Sequence, residues 1–276
     1  MANVLKIDKQ IAVISALAEG SSIRSIERMT GINRNTIMNL GVRIGQGCES
    51  LLDEKMRGLT CNHLQFDELW GFIGKKQKHV EPTDKAEMGD VWTFCAIDAE
   101  TKLIPSFKVG KRTAETANDF VCDVASRIKN RPQISTDGLK AYVEAIEMAF
   151  GSEVDYGQII KNYAGDSGQH RQERRYSAPD VTFVTKKRIA GRPVKDLIST
   201  SYIERANGTT RQHMKRLARL TYAFSKKLEN FEAAVALNFA YYNLVRTHGT
   251  LKMTPAMAAG VETSFWSVGD LVEAAS

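Results

Sequence analysis

The hydrophobic period of this chain changes once, near Leu64, and that change limits the folds open to it. Residues 7–56 read as helical, with Ile7, Ile11, Ile14 and Leu17 at helical spacing. From Leu64 the apolar positions crowd into short β-rich runs: Leu64 to Phe72, Val91 to Asp98, and Leu103 to Val109, with Ala99, Glu100 and Thr101 as a hairpin turn. A helical pattern follows in TAETANDFVCDVASRIKN with Thr113 as its cap, then a short strand in RPQIST and a helix over 139–150. Three strands followed by helix, strand and helix predict an α/β fold, a mixed sheet flanked by helices, preceded by an all-α segment. The chain therefore divides into residues 1–60 and residues 61–276.

Within the first segment Gly20 ends one helix, a short helix runs from Ile23 to Met29, Gly31 makes a tight turn, and Asn33 caps a helix that begins at Arg34. This is a helix-turn-helix pattern. Its second helix presents Arg34, Asn35, Thr36 and Asn39 near the N-terminal end, where side chains of this motif reach base edges. An ordinary helical hairpin packed on the rest of the chain would show the same spacing.

Three carboxylates stand where an apolar or β-rich stretch gives way to a turn or a helix: Asp67 in LQFDELWGFIG, Asp137 in PQISTDGLKAY and Glu204 in ISTSYIERANGTTRQHMKR, 70 and 67 residues apart. Apolar neighbours such as Phe66, Leu69 and Trp70 make Asp67 a charge in need of a partner or a metal. Three acids converging from distant segments can hold two Mg²⁺, with Mn²⁺ as a substitute, and such a pair acts on both the attacking and the leaving oxygen of a phosphodiester. Strand alternation turns Glu68 to the opposite face from Asp67, away from such a site. Asp98 reads as a hairpin-turn residue.

Residues 152–200 are harder to read. YGQIIKNY and VTFVTKKRI suit strands, whereas GDSGQHRQERRYSAPD reads as a loop or a basic, DNA-facing insertion. A long amphipathic helix is expected from Ser199. It would carry Glu204, then Asn207 behind the metal ligands, then Arg211 and Lys215 along one stripe, with Arg205 and Arg216 close by to hold phosphates. A last helix, Phe231 to Val245, leads into TPAMAAG, and His248 between them is a candidate DNA contact or support for the ligands.

Charge distribution agrees with a phosphate-facing surface. Residues 161–230 hold sixteen Lys and Arg against six Asp and Glu, a net of +10 in a chain whose total is +6, so the remainder is −4. The four cysteines, Cys48, Cys61, Cys95 and Cys122, show no CxxC spacing, which argues against a zinc ribbon or a disulfide framework. No apolar run approaches 18 residues and the N-terminus has no signal-peptide pattern, so a soluble, cytoplasmic protein with no membrane partner is expected. GxGxxG, P-loop and nucleophile-elbow motifs are absent, which leaves little room for a small-molecule enzyme.

In the stretches FDELWGFIGKK, STDGLKAY, TSYIERANGTTR, RLTYAFSKKLEN and YYNLVRTHGTLKMTPAMAAGV the chain resembles DDE transposases of the bacterial insertion-sequence-one family, over roughly residues 64–266. That resemblance implies an RNase H-like core similar to retroviral integrases, with Asp67, Asp137 and Glu204 as catalytic and metal-binding acids. It further implies Mg²⁺-dependent cleavage of double-stranded DNA at terminal inverted repeats, joining of the 3′-OH ends to target DNA, and at least a homodimer on DNA, in the bacterial cytoplasm at the nucleoid. Residues 1–60 would then be the DNA-binding domain and 61–276 the catalytic domain, with a basic insertion around 152–200 and a C-terminal helical segment. Two departures stand out: the first segment lacks the zinc-binding cysteines of shorter family members, and Ala206 stands where a Gln commonly follows the Glu-Arg pair. A DNA-binding regulator that has lost its chemistry, or a nuclease on the same fold, would share many of these features.

Overall fold

Capping chemistry sets the first helices in the computed structural model, which describes residues 5–163 and 181–276. Helix α1 spans Ile7–Ala18, α2 Ile23–Thr30 and α3 Arg34–Lys55. Ser22 Oγ accepts from the Ser25 amide at 3.1 Å to start α2, and Asn33 Oδ1 accepts from the Asn35 amide at 2.9 Å to start α3. Between them Gly31 takes φ 69°, a left-handed turn that a Cβ would strain. At 22 residues, α3 is about 33 Å long.

A six-stranded sheet follows, built from β1 (His63–Ile73), β2 (Gly89–Asp98), β3 (Phe107–Gly110), β4 (Gln133–Thr136), β5 (Asp155–Tyr163) and β6 (Val181–Ala190) in the order β3-β2-β1-β4-β5-β6. β1 pairs antiparallel with β2 and parallel with β4; β4 and β5 are parallel, and β6 returns antiparallel along β5. Helices α4 (Ala114–Arg127, capped by Thr113) and α5 (Ala141–Phe150) pack together, and Phe66 of β1 meets Phe120 of α4 and Tyr142 of α5 at ring-centroid distances of 5.2 and 5.8 Å. This mixed sheet flanked by helices is compatible with an RNase H-like fold.

Helix α6 (Ser201–His213) lies against β1, and α7 (Leu228–Ala240) is buried on almost every side, at Phe231, Ala233, Val235, Ala236, Leu237, Phe239 and Ala240. Such all-round burial requires partners on opposite sides. Phe239 packs on Phe107 of β3 at 5.1 Å, and α3 lies along the other flank. The approach of α3 is close enough that a Cβ on Gly45 would overlap the Ala233 carbonyl. Short helices α8 (Pro255–Ala258) and α9 (Val268–Ala274) close the chain, with Thr254 capping the first and a Ser267–Asp270 capping box starting the second. One continuous apolar cluster links Val13 in α1 to Ala275 after α9. Arg127 fastens the helical segment to the sheet layer: it donates to Asp53 Oδ1 at 2.8 Å and to the Leu52 and Met56 carbonyls at 3.4 Å.

Several elements differ from their expected limits, each for a local reason. The strand expected over Leu103 to Val109 shrinks to Phe107–Gly110, because Pro105 has no amide to give and the side chain of buried Asn243 takes both the amide and the carbonyl of Ile104. Asn243 can reach inward because the last expected helix changes at Tyr241 into one π turn, Tyr241–Val245. The helix carrying Glu204 stops at His213 rather than reaching Lys215; the chain turns in to bury Met214 and Leu217, and Lys215–Leu217 forms a separate 3₁₀ turn. YGQIIKNY and VTFVTKKRI form β5 and β6, while the basic loop between them lies outside the described residues.

Candidate metal centre

Two acids 70 residues apart in sequence are brought level by the parallel pairing of β1 with β4, whose register also has an offset of 70: His63 faces Gln133, Leu64 faces Ile134 and Gln65 faces Ser135. Continued by two residues, that register sets Asp137 beside Asp67. Asp137 is the first residue past β4, and its Oδ1 accepts from the Leu139 amide at 2.9 Å, which turns the chain out of the sheet toward α5.

β1 also fixes α6. Gln65, on the same face as Asp67, offers Oε1 to the Tyr202 and Ile203 amides at 2.9 and 3.1 Å, so a side chain of the central strand caps the helix that carries Glu204. One turn along that helix, Asn207 Nδ2 donates to Asp67 Oδ2 at 2.8 Å. The amide of Asn207 is oriented in turn by the buried Cys95 thiol, which lies 3.4 Å from its Oδ1 and directly across β2 from Asp67. Asn207 thus stands behind Asp67.

Oxygens of Asp67, Asp137 and Glu68 all lie within 4.8 Å of one another. The expectation that Glu68 points away from the site needs correction. Alternation does turn it toward the α5 side, where it neighbours Tyr142, but β4 stops at Thr136 while β1 continues to Ile73, so no strand backbone separates the two faces at that edge. Glu68 is buried and accepts from Arg112 Nη2 at 3.0 Å, and Arg112 is stacked over Trp92 at 4.7 Å. Strand alternation alone turns Glu68 from the site; only the early end of β4 brings its carboxylate round to Asp67 and Asp137.

Glu204 takes a different arrangement. Its Oε1 accepts from Thr200 Oγ1 at 2.6 Å and pairs with Lys161 of β5, and its side chain is 45% exposed. It stands close enough to raise the pKa of Asp67 but outside the 4.8 Å group.

Crowding of like charges in a half-buried place shifts the carboxyls as physics requires. Burial pushes Asp67 up to about 6; Asp137 and Glu204 add to the rise, and hydrogen bonds from the Glu68 amide and Asn207 oppose it. Burial likewise pushes Glu68 up to about 7, with Asp137 and Asp67 adding and Tyr142 and Arg112 opposing. These are hard oxygen donors in a compact set, and Glu68 Oε1 is buried with no hydrogen-bond donor among the described residues. Such a set suits a divalent cation of the Mg²⁺ or Mn²⁺ class.

The residues expected to touch DNA are placed as follows. Arg34, Asn35, Thr36 and Asn39 are all exposed along the N-terminal part of α3. Arg205 and Lys215 are exposed, while Arg211 is half-buried, with its charge acting on Asp67 and Cys95. Arg216 is turned inward, donating to the buried Ser225 hydroxyl at 2.5 Å, so it offers little to a phosphate. His248 is held at its backbone by Met253, and burial together with Lys102, Arg205 and Arg246 keeps its ring below the ordinary histidine range. Asp98 behaves as the turn residue expected of it, accepting from the amide and hydroxyl of Thr101 at 2.9 and 2.6 Å. Among the described residues no helix is long and apolar enough to cross a membrane.

No family model and no curated protein matches the chain. Among solved structures, the chain is similar to the piggyBac transposase in its synaptic complex with hairpin DNA, at 9% identity and a TM-score of 0.48, over 97% of this chain and 69% of that one.

Proposed function

We propose that this chain is a DDE-type DNA transposase that binds the terminal inverted repeats of an insertion sequence, frees their 3′-OH ends and joins them to target DNA. One observation carries the reading: Asp67 and Asp137, brought level by the β1–β4 register, place carboxylate oxygens within 4.8 Å of each other, and the helix bearing Glu204 is tied to the same strand by Gln65 and Asn207. The metal set is Asp67, Asp137 and Glu204. When bound, two Mg²⁺ would supply an activated attacking oxygen and a stabilised leaving oxygen.

Every other part of the task falls to side chains. Asp67 is held in one orientation by Asn207, and Asp137 by the Leu139 amide, so both acids are fixed before any cation arrives. Glu204 joins them by exchanging Lys161, and the released ammonium is then free to meet a phosphate. Exposed Arg205 and Lys215 hold the backbone of the DNA end, and Arg211 balances the acids from behind. In residues 1–60 the helix-turn-helix reading gives Arg34, Asn35, Thr36 and Asn39 to the bases of the element end. The double-ended reaction calls for at least a dimer on DNA, in the bacterial cytoplasm at the nucleoid.

The test is a labelled duplex carrying the element's own end, incubated with target DNA and Mg²⁺. Wild type is expected to nick at the end and make joined product, and Asp137→Asn to bind the duplex without cutting. Nicking without joining would favour a nuclease, and binding without cutting by wild type in both Mg²⁺ and Mn²⁺ would favour a regulator.

A further inference from the structure

We propose that Glu68 is a ligand of the divalent cation held by Asp67 and Asp137, a fourth acid beyond the three in the sequence pattern, positioned by Arg112. This deepens the metal-dependent reading above and rests on it. The Glu68 side chain is 2% exposed, the most deeply buried carboxylate at the site. Arg112 satisfies Oε2 at 3.0 Å, whereas Oε1 is inaccessible and has no donor among the described residues. The hydroxyl of Tyr142, buried beside Glu68, holds the Glu68 pKa down, but it makes no hydrogen bond of ordinary geometry and so leaves Oε1 only weakly satisfied. An acceptor of this kind is costly to bury unless something positive comes to it.

That something is bounded by the neighbours. An oxygen of Glu68 lies within 4.8 Å of oxygens of both Asp67 and Asp137. Among the described residues no Lys or Arg bonds to Asp67 or Asp137, and Arg112 is kept on the Oε2 side by its stacking on Trp92. With Arg112 on Glu68 and Arg211 acting on Asp67 from behind, three ionised carboxylates still carry a net negative charge, which favours a bound cation. Glu204, more exposed and paired with Lys161, is not the acid that closes this group. Glu68 therefore belongs to a cation bound before DNA, with Asp67 and Asp137, and Glu204 completes the set once the DNA end draws Lys161 away.

The experiment titrates Mn²⁺ into the DNA-free full-length protein, read by the loss of free Mn²⁺ signal in electron paramagnetic resonance, for wild type, Glu68→Gln, Asp67→Asn and Asp137→Asn. Glu68→Gln is expected to weaken Mn²⁺ binding by about tenfold or more while keeping the wild-type circular dichroism. Wild-type affinity in Glu68→Gln beside lost affinity in the two Asp variants overturns the Glu68 assignment and leaves the functional reading intact. No Mn²⁺ binding by wild type overturns both. If Glu68→Gln does not fold, anomalous scattering from a Mn²⁺-soaked wild-type crystal decides. A peak about 2.2 Å from a Glu68 oxygen is expected, and a peak on Asp67 and Asp137 with Glu68 remote from it overturns the proposal.

Discussion

Asp67→Asn should stabilise the metal-free protein, and the gain should grow with pH. The carboxyl of Asp67 is raised from 3.8 to about 6, chiefly by burial. A raised carboxyl binds its proton more tightly in the folded chain than in the unfolded one, so between those two pH values the folded state holds the extra proton and stability falls as pH rises. The penalty is absent below about pH 4 and complete above about pH 6. A rise of about two pH units corresponds to about 3 kcal/mol at pH 8, an upper figure because Asp67 and Glu68 titrate together. The amide of Asn is close in shape to the carboxylate, and its Oδ1 can still accept from Asn207, so little packing is lost. For a chain of this length 3 kcal/mol is about 5–10 °C in Tm. Thermal unfolding of both proteins in chelator at pH 4 and pH 8 makes the comparison. Asp67→Asn should melt with wild type at pH 4 and above it at pH 8, and added Mg²⁺ should raise wild type while leaving the variant unmoved. A variant that melts below wild type at pH 8, or a difference equal at both pH values, would refute the reasoning.

Four further outcomes follow from named contacts. Gln65→Ala strips the acceptor from two amides at the start of α6 and should cost about 1–2 kcal/mol in chemical denaturation, together with a larger fractional loss of DNA cleavage, since Glu204 rides on that turn. Asn243→Ala orphans both the amide and the carbonyl of Ile104 in the core and should cost about 2–4 kcal/mol, read in the same way. Gly45→Val drives side-chain atoms into the Ala233 carbonyl and should destabilise by at least about 1–3 kcal/mol, so an unchanged midpoint would contradict the close α3–α7 approach. Lys161→Ala removes the cation that competes for Glu204 and should tighten Mn²⁺ binding severalfold in the absence of DNA, measured by calorimetry, while weakening binding of the DNA end.

Much of this arrangement can be read from residues whose local chemistry leaves few alternatives. Asn33 and Thr113 announce the starts of α3 and α4, the apolar run around Asp67 becomes the central strand, and Asp137-Gly138 ends a strand because Asp turns its own backbone. The 70-residue spacing of the two Asp residues is also the β1–β4 register, although only the pairing reveals why. Features that depend on distant partners could not be read this way. Alternation alone assigned Glu68 to the far face, because nothing local says that β4 stops before the β1 edge is covered. The helical stripe through Lys215 assumed that burying Met214 and Leu217 would not bend the chain. The inward turn of Arg216 depends on Ser225, and the pairing of Glu204 with Lys161 depends on a strand 43 residues away. In the first segment the caps were legible, whereas the packing of α3 on α7 rests on a close approach that glycine permits but does not announce.

The central claim is that Asp67 and Asp137 hold the cation on which DNA cleavage depends. The most direct measurement replaces Mg²⁺ with Fe²⁺ and lets ascorbate and peroxide generate hydroxyl radicals at the bound metal, with backbone cuts mapped by mass spectrometry. The account predicts cuts clustered around residues 67–68 and 137, with a further cluster around 200–207, all suppressed by excess Mg²⁺ and absent in Asp67→Asn. Cuts elsewhere in the chain, or a pattern unchanged by Asp67→Asn, would contradict it.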